Sequence, residues 1–205
     1  MTIQKEITRK NNERKILQAA EQIFAQYGFK GATTDQIAKK AGLPKANIHY
    51  YFKTKALLYR ILLEGILDEW LKAADAFDQY QQPKKAITKY VEAKMDFSRH
   101  KPYASKVWAN EVIHGAEVAS EFMETHMKKW LDEHVKLVDS WISEKKISKV
   151  DPTALFYMIW STTQHYADFD RQIVLLNGGS NFSDEEYQEK VRSVTALILG
   201  SVGLG

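Results

Sequence analysis

The sequence contains no cysteine, only four prolines among its 205 residues, and no apolar run longer than the seven residues Ala154 to Trp160. Each shortage excludes something. Without cysteine there is no disulfide framework, no thiolate nucleophile and no thiolate zinc site, and thiol oxidation cannot be the signal this chain senses. That composition accords with a reducing cytoplasm, the expected location. A seven-residue apolar run is far short of the ~20 residues needed to cross a bilayer, so no membrane partner is expected. The stretch from Met1 to Arg14 is polar and charged with no apolar stretch behind it, so no secretory signal is expected either. Four prolines and ten glycines leave little material for long loops. What is present is 44% apolar and 12% aromatic, enough for a packed core and unlike a disordered chain.

Charge is scarce only in the sum. The net charge of +3 divides into 11 Lys/Arg against 4 Asp/Glu in residues 1–55, or +7, and 18 against 22 in residues 56–205, or −4. A small basic head on a slightly acidic body calls for an electrostatic partner at the head alone.

Helical spacing runs between the turn residues. Ile16, Ala19, Ala20, Ile23 and Phe24 form one stripe, with Gly28 as its stop. Thr33-x-x-Gln36 reads as a capping box opening a short helix that ends at Gly42. Pro44 suits the first position of a third helix, to about Tyr51, and Thr54 caps a fourth, from Lys55 to about Tyr80. Beyond Pro83 the pattern predicts helices over 84–100, 103–114, 116–144, 152–177 and 184–200. The run Ala154–Trp160 continues its stripe through Thr163, Tyr166 and Ala167, which makes it a buried helix rather than a strand. The expected fold is all-α with about nine helices, in two domains, residues 1–55 and 56–205.

Residues Thr33 to Phe52 carry the most specific pattern in the chain: a short helix, a turn containing Gly42 and a second short helix, the spacing of a helix-turn-helix. The second helix, Pro44-Lys45-Ala46-Asn47-Ile48-His49-Tyr50-Tyr51, offers small, amide, imidazole and phenol groups on its open side. Such a helix fits the major groove of B-DNA, where amides and small residues meet base edges. Lys45, Lys53, Lys55 and the hydroxyls of Thr33, Thr34, Tyr50 and Tyr51 are of the types that contact phosphate and position a protein without reading sequence. Ile37, Ala38, Ile48 and Phe52 are packing residues, and Thr33 serves equally as a cap.

The stretch Ala32-Thr33-Thr34-Asp35-Gln36-Ile37-Ala38-Lys39-Lys40-Ala41-Gly42-Leu43-Pro44-Lys45-Ala46-Asn47-Ile48-His49-Tyr50-Tyr51-Phe52-Lys53-Thr54-Lys55 closely resembles the DNA-binding signature of TetR-type transcriptional repressors. The likeness spans roughly residues 12 to 62. Two positions depart from the family pattern: Pro44 stands where Ser or Thr is common, and Ala46 where Gly is common. Proline costs no hydrogen bond at a helix start, whereas Ala46 adds a methyl on the DNA face. The resemblance implies a homodimer on a near-palindromic double-stranded operator, a variable C-terminal domain that binds a small molecule, and DNA contacts from Thr34, Lys45, Ala46, Asn47, His49, Tyr50 and Lys55. It implies no cofactor and no enzymatic activity.

In the C-terminal body, Tyr187, Val191, Val194, Ile198 and Val202 fall on one face of the final helix. By resemblance to the family's four-helix dimer interface, this face is expected to meet a second copy, the alternative being intramolecular core. Aromatic plates alternate with hydrogen-bonding groups elsewhere. Trp70, Trp108, Trp160 and Tyr166 supply flat apolar walls, and Asn110, Glu111 and Gln164 supply polar edges, the combination that a planar ligand requires. The segment Met158-Ile159-Trp160-Ser161-Thr162-Thr163-Gln164-His165-Tyr166-Ala167-Asp168-Phe169 is similar to the pyrimidine-utilisation repressor subgroup, whose ligands are uracil and thymine. Asp68-Glu69-Trp70-Leu71, Pro102-x-Ala104-Ser105 and Lys149-Val150-Asp151-Pro152 agree with it. Another small apolar or aromatic ligand is the alternative.

Two other classes compete. Glu111-x-x-His114 is the step used by di-iron helical bundles, but those need a second such motif, and none occurs. His165 and Asp168, three apart on a helix, could pair for acid–base work, but no nucleophile or phosphate loop accompanies them; His126 and His134, eight apart, could share a face and bind a metal but are expected to face solvent. An effector-free architectural DNA-binding protein would instead have a compact hydrophobic C-terminal domain with no cavity, and the mixture of aromatic and polar residues near Trp70, Trp108 and Gln164 argues against it.

Overall fold

The computed structural model describes residues 2–205, apart from the side chains of residues 2, 3, 73, 76 and 78. Among the described residues there are ten helices and no strand. They are α1 (Thr2–Gly31), α2 (Thr34–Ala41), α3 (Lys45–Phe52), α4 (Lys55–Asp78), α5 (Pro83–His100), α6 (Pro102–Ile113), α7 (residues 120–143), α8 (Pro152–Asp168), α9 (Asp170–Leu176) and α10 (Asp184–Ser201). The α7 helix contains a π-helical turn, Met123–Met127, between Ser120–Phe122 and Lys128–Ser143. No described helix is long and apolar enough to cross a membrane.

The chain forms two compact units, one of residues up to Asp68 with Lys106–Ala119, the other of Glu69–Ser105 with Ser120–Gly205. Residue 55, expected as a domain boundary, is the start of α4, and both α4 and α6 continue from one unit into the other.

In the first unit the apolar stripe of α1 is buried as the periodicity requires, with Ile16, Ala19, Ala20, Ile23 and Phe24 all inside. Gly28 does interrupt α1, at φ 66° and ψ 177°, and one more turn follows to Gly31. The α1 helix also begins much earlier than its apolar stripe, through a polar stretch that periodicity does not mark. The capping box of α2 is complete. Thr33 Oγ1 accepts from the Gln36 N–H at 3.2 Å, and Gln36 Oε1 accepts from the Thr33 N–H at 2.8 Å. Gly42 ends α2 in the left-handed region at φ 65°, where its N–H reaches the carbonyls of Ala38 and Lys39.

In the second unit, Ile87, Tyr90, Val91 and Met95 of α5, Val138 and Trp141 of α7, and Leu155, Phe156 and Ile159 of α8 share one core with α10. Two expectations change here. The predicted helix 152–177 is two helices, which is why ten occur rather than nine. Phe169 leaves helical geometry at φ −114°, ψ 29°, and no glycine or proline marks the break. Asp168, just before it, is drawn to Ser105 of α6, whose hydroxyl donates to it at 2.6 Å.

The second change concerns the stripe Tyr187, Val191, Val194, Ile198 and Val202. Expected to meet a second copy, it is buried inside its own unit. The Tyr187 hydroxyl donates to the Met95 carbonyl at 2.8 Å. An amphipathic stripe shows that a face is covered, not which chain covers it. The apolar groups that remain in water on α8 and α10 are Tyr157, Met158 and Leu197, the last 74% exposed.

A Cβ built on Gly42 meets nothing within 4 Å, so only backbone strain opposes a side chain there. Gly42→Ala is expected to destabilise the head by about 1–2 kcal/mol, a Tm fall of roughly 2–8 °C. Gly42→Asn, which tolerates the left-handed region, is expected to lose less; thermal unfolding followed by circular dichroism checks both.

Candidate nucleic-acid interface and ligand site

The α3 helix sorts its side chains by helical spacing. Ile48 and Phe52, four apart, are fully buried and fasten it to the first unit. The opposite side carries Ala46, His49, Tyr50 and Lys53 at steps of three and four, all exposed, with exposed Lys45 and half-buried Asn47 beside them. Ala46, His49 and Tyr50, expected from the sequence to contact DNA, lie on this exposed side. Pro44 precedes the helix in extended geometry, at φ −57° and ψ 143°, and serves as its cap residue instead of its first turn. Lys53 closes the helix at a positive φ of 55°, its N–H on the His49 carbonyl, and His49 Nδ1 lies 3.2 Å from the Lys53 carbonyl oxygen. Thr33 is exposed, and Thr34 is half-buried in the first turn of α2.

Three residues have additional work. Lys45 lies 3.6 Å from Asp35, both exposed, a weak and screened pair that a phosphate can displace. The Tyr51 hydroxyl accepts from Asn12 Nδ2 at 3.3 Å and keeps its own hydrogen to donate. Lys55 departs most from expectation. Its Nζ donates to the carbonyls of Phe29 at 2.7 Å and Ala32 at 2.8 Å and lies 4.5 Å from the Phe29 ring centroid. Two of its three N–H donors thus cap the end of α1, the site where a helix favours a cation. Charge counting placed Lys55 in the basic head but could not show that its ammonium folds back.

One contribution went unseen in the sequence. Lys5, Thr8 and Arg9, on the first turns of α1, line a shallow surface groove with Tyr50 and Tyr51. The basic residues near the N-terminus were counted in the head's charge, but nothing in their pattern placed them beside α3.

The residues expected at a ligand fall in different places. Trp70 and Trp160 come together, ring centroids 6.1 Å apart, and Trp160 Nε1 donates to the Tyr90 hydroxyl at 2.7 Å. Gln164 lies one turn beyond Trp160 on the same face of α8 and is half-buried. Tyr166 faces elsewhere. Its ring meets that of Tyr187 edge-on at 5.8 Å, and burial raises its pKa.

Trp108, Asn110 and Glu111 belong to the first unit, where Trp108 is buried. Asn110 Nδ2 donates to the Ala25 carbonyl at 3.2 Å. Glu111, 7% exposed, accepts from the Tyr59 hydroxyl at 2.9 Å and from the N–H groups of Val118 at 2.7 Å and Ala119 at 3.1 Å. Burial and the carboxylate beside it push the Tyr59 pKa well up, so the phenol stays protonated and donates. Asn110, Glu111 and Tyr59 also border a cavity of about 340 Å³ with Phe29 and Val118.

The sequence missed Lys94 of α5, which is 1% exposed and has its Nζ 2.9 Å from the Trp70 ring centroid. The clue was available: a lysine sits in the otherwise inward stripe Ile87, Tyr90, Val91, Met95.

Among the described residues no group of three or more His, Asp or Glu is arranged to hold a metal ion. His114 is exposed, with Nδ1 2.7 Å from the Asn110 carbonyl oxygen, whereas Glu111 is buried. His126 is exposed and stacks on Phe122, while His134 is not in solvent as expected but buried and stacked on Trp130 at 3.9 Å.

Comparison with known proteins agrees along the chain. Residues 16–60 match the family model described as bacterial regulatory proteins, tetR family, and residues 63–205 match that of the YcdC-like protein C-terminal region. The chain is 36% identical over 187 residues to the HTH-type transcriptional regulator RutR of Escherichia coli strain K12, covering 91% of this chain and 88% of that one. Among solved structures, the ketosteroid transcriptional regulator KstR2 of Mycobacterium tuberculosis superposes with a TM-score of 0.77 at 19% identity, over 93% of this chain and 94% of that one. A TetR family transcription regulator from Marinobacter aquaeolei VT8 superposes at 0.72 and 17% identity, over 96% and 98%.

Two lysine variants separate positioning from phosphate contact. Lys55→Ala removes two charge-assisted hydrogen bonds and is expected to cost about 1–3 kcal/mol, a Tm fall of roughly 2–10 °C, with little change in the salt dependence of DNA binding. Lys45→Ala is expected to leave Tm nearly unchanged and to lower the slope of log affinity against log salt by roughly one for each phosphate that goes unneutralised. Thermal unfolding and DNA titrations at several salt concentrations check both.

Proposed function

The chain belongs to the TetR family of bacterial DNA-binding transcriptional regulators, and from that premise we propose that it binds a near-palindromic operator as a homodimer in the cytoplasm and releases it when a small planar molecule, uracil or thymine first among candidates, occupies the C-terminal unit. Regulators of this family are not enzymes, and no catalytic role is assigned to any residue. The observation that carries the reading is the exposed stripe Ala46, His49, Tyr50 and Lys53 on a helix anchored by Ile48 and Phe52. In a dimer whose two α3 helices lie ~34–36 Å apart, both enter successive major grooves on one face of the duplex. Asn47, His49 and Ala46 then read base edges, while Thr33, Thr34, Lys45, Tyr50 and Tyr51 fix the register on phosphates. Lys55 acts with them chiefly by holding α1 to α4.

The dimer forms through the faces of α8 and α10 that carry Tyr157, Met158 and Leu197, since these apolar groups stand in water in a single chain. Two helices link the units covalently. The α4 helix carries Tyr59 in one and Trp70 in the other, and α6 carries Ser105 in one and Asn110 and Glu111 in the other. A ligand that prefers another setting of either helix lowers operator affinity, and the operator lowers ligand affinity by the same factor. The pairing of Trp70 with Trp160, and Gln164 one turn beyond, supports a flat ligand read by an amide.

Fluorescence anisotropy of a labelled operator, selected from random duplexes, is expected to fall on adding uracil; no loss of binding with any soluble planar metabolite sinks the effector reading. Gln164→Ala is expected to retain operator binding and lose the response, whereas loss of binding itself makes Gln164 structural. Leu197→Glu is expected to give a monomer in sedimentation and to weaken operator binding at least ten-fold, roughly the factor that 1.4 kcal/mol represents.

A further inference from the structure

Among the described residues Lys94 is the only lysine or arginine removed from water, at 1% exposure. Its Nζ is buried with no hydrogen-bond partner among them. It lies 2.9 Å from the centroid of the Trp70 ring, and the Trp160 ring stands 6.1 Å from that of Trp70. The polar groups one turn away on α5 are already engaged. The Tyr90 oxygen accepts from Trp160 Nε1 at 2.7 Å, and the Ser98 hydroxyl donates to the Thr163 carbonyl at 2.8 Å. The charged group that acts on Lys94 is Asp168, whose Oδ1 takes the Ser105 hydrogen at 2.6 Å. Burial outweighs that attraction and holds the lysine pKa well below its usual range.

An amine in this position is a liability for folding. Taking an ammonium out of water without a partner is strongly unfavourable, and an apolar residue of the same length would pack there at lower cost. The indole face compensates only in part, because cation–π attraction is modest beside full desolvation. A group that no described residue satisfies with a hydrogen bond, placed against the Trp70 ring with that of Trp160 beside it, points to a partner from outside the chain.

We propose that Lys94 is the ligand-reading group of the C-terminal unit: its amine donates to an oxygen acceptor, either a ring carbonyl or an ionised oxygen, on a planar ligand held against Trp70 and Trp160. This deepens the effector reading above and rests on it. The chemistry defines a ligand class. Oxo-substituted heterocycles, imides and aromatic carboxylates qualify, with acidic ones favoured because a negative oxygen restores the ammonium. Aromatic rings without a hydrogen-bond acceptor leave the amine unsatisfied and are rejected, as sites built around a buried hydrogen bond reject analogues that lack it.

The test uses the full-length protein and two variants, Lys94→Met and Lys94→Gln, with uracil, benzoate and toluene, a planar ring without an acceptor, as probes. Calorimetry gives ligand affinity, thermal unfolding gives Tm, and operator anisotropy without ligand reports the fold of the head. The wild type is expected to bind uracil or benzoate and to bind toluene roughly a hundred-fold more weakly or worse. Lys94→Met is expected to raise Tm by roughly 2–8 °C, to retain operator binding and to lose the affinity for the oxygen-bearing probe. Lys94→Gln, which keeps a donor, is expected to retain more of that affinity than Lys94→Met. If Lys94→Met binds the probe as the wild type does while the operator still responds, Lys94 reads nothing and the effector reading survives. A lowered Tm with wild-type probe affinity makes Lys94 a strut of the core. Wild type that binds none of the probes overturns both readings.

Discussion

A carboxylate out of water is tolerated only where donors surround it, and the placement of the DNA-binding head depends on one that is so surrounded. Glu111 of α6 takes the hydroxyl hydrogen of Tyr59 from α4 and two backbone N–H groups from the turn before α7. Three elements distant in sequence are thereby fixed at one buried point. Neighbouring bonds extend the hold to α1: Asn110 grips the Ala25 carbonyl, and Lys55 grips those of Phe29 and Ala32. The α1 helix ends at these contacts, and α2 and α3 follow directly from its end. Within the first unit, the end of α1 from which α2 and α3 follow is thus held by hydrogen bonds from α4 and α6.

Glu111 and Lys94 are opposite cases of one rule. Both are charged types placed inside, but Glu111 has three donors and Lys94 has no hydrogen-bond acceptor among the described residues. Buried polar groups of the first kind specify a structure, whereas those of the second need an external partner to justify their position. In the proposed mechanism the satisfied carboxylate transmits and the unsatisfied amine receives. Because α4 carries both Tyr59 and Trp70, a ligand settling on the indole acts on the helix that Glu111 holds.

The head was legible in the sequence because its signals are local. Thr33 with Gln36, Gly42, and Ile48 with Phe52 each act within a turn of helix, and each takes the geometry its spacing implies. Less was legible wherever the deciding partner was far along the chain. The stripe from Tyr187 to Val202 announces a covered face, but its cover is α5 and α8 of the same chain. The break at Phe169 carries no glycine or proline, and Asp168 beside it bonds to a serine 63 residues away. Lys55 bonds to carbonyls 26 and 23 positions earlier, contacts no charge count contains. Asn110, Glu111 and Trp108 had the composition of a ligand site, yet the first two hold helices together. Lys94 is the exception: its place in an apolar stripe was readable, but not that its amine finds no hydrogen-bond partner among the described residues.

The coupling between the two units is tested most directly by its reciprocity. Calorimetric titration of uracil into the free protein, and into the protein saturated with its operator, gives two affinities. The DNA-bound form is expected to bind uracil more weakly, by the factor through which uracil weakens operator binding. Equal uracil affinities for the free and DNA-bound forms would contradict the coupling and leave the two units as independent binding sites.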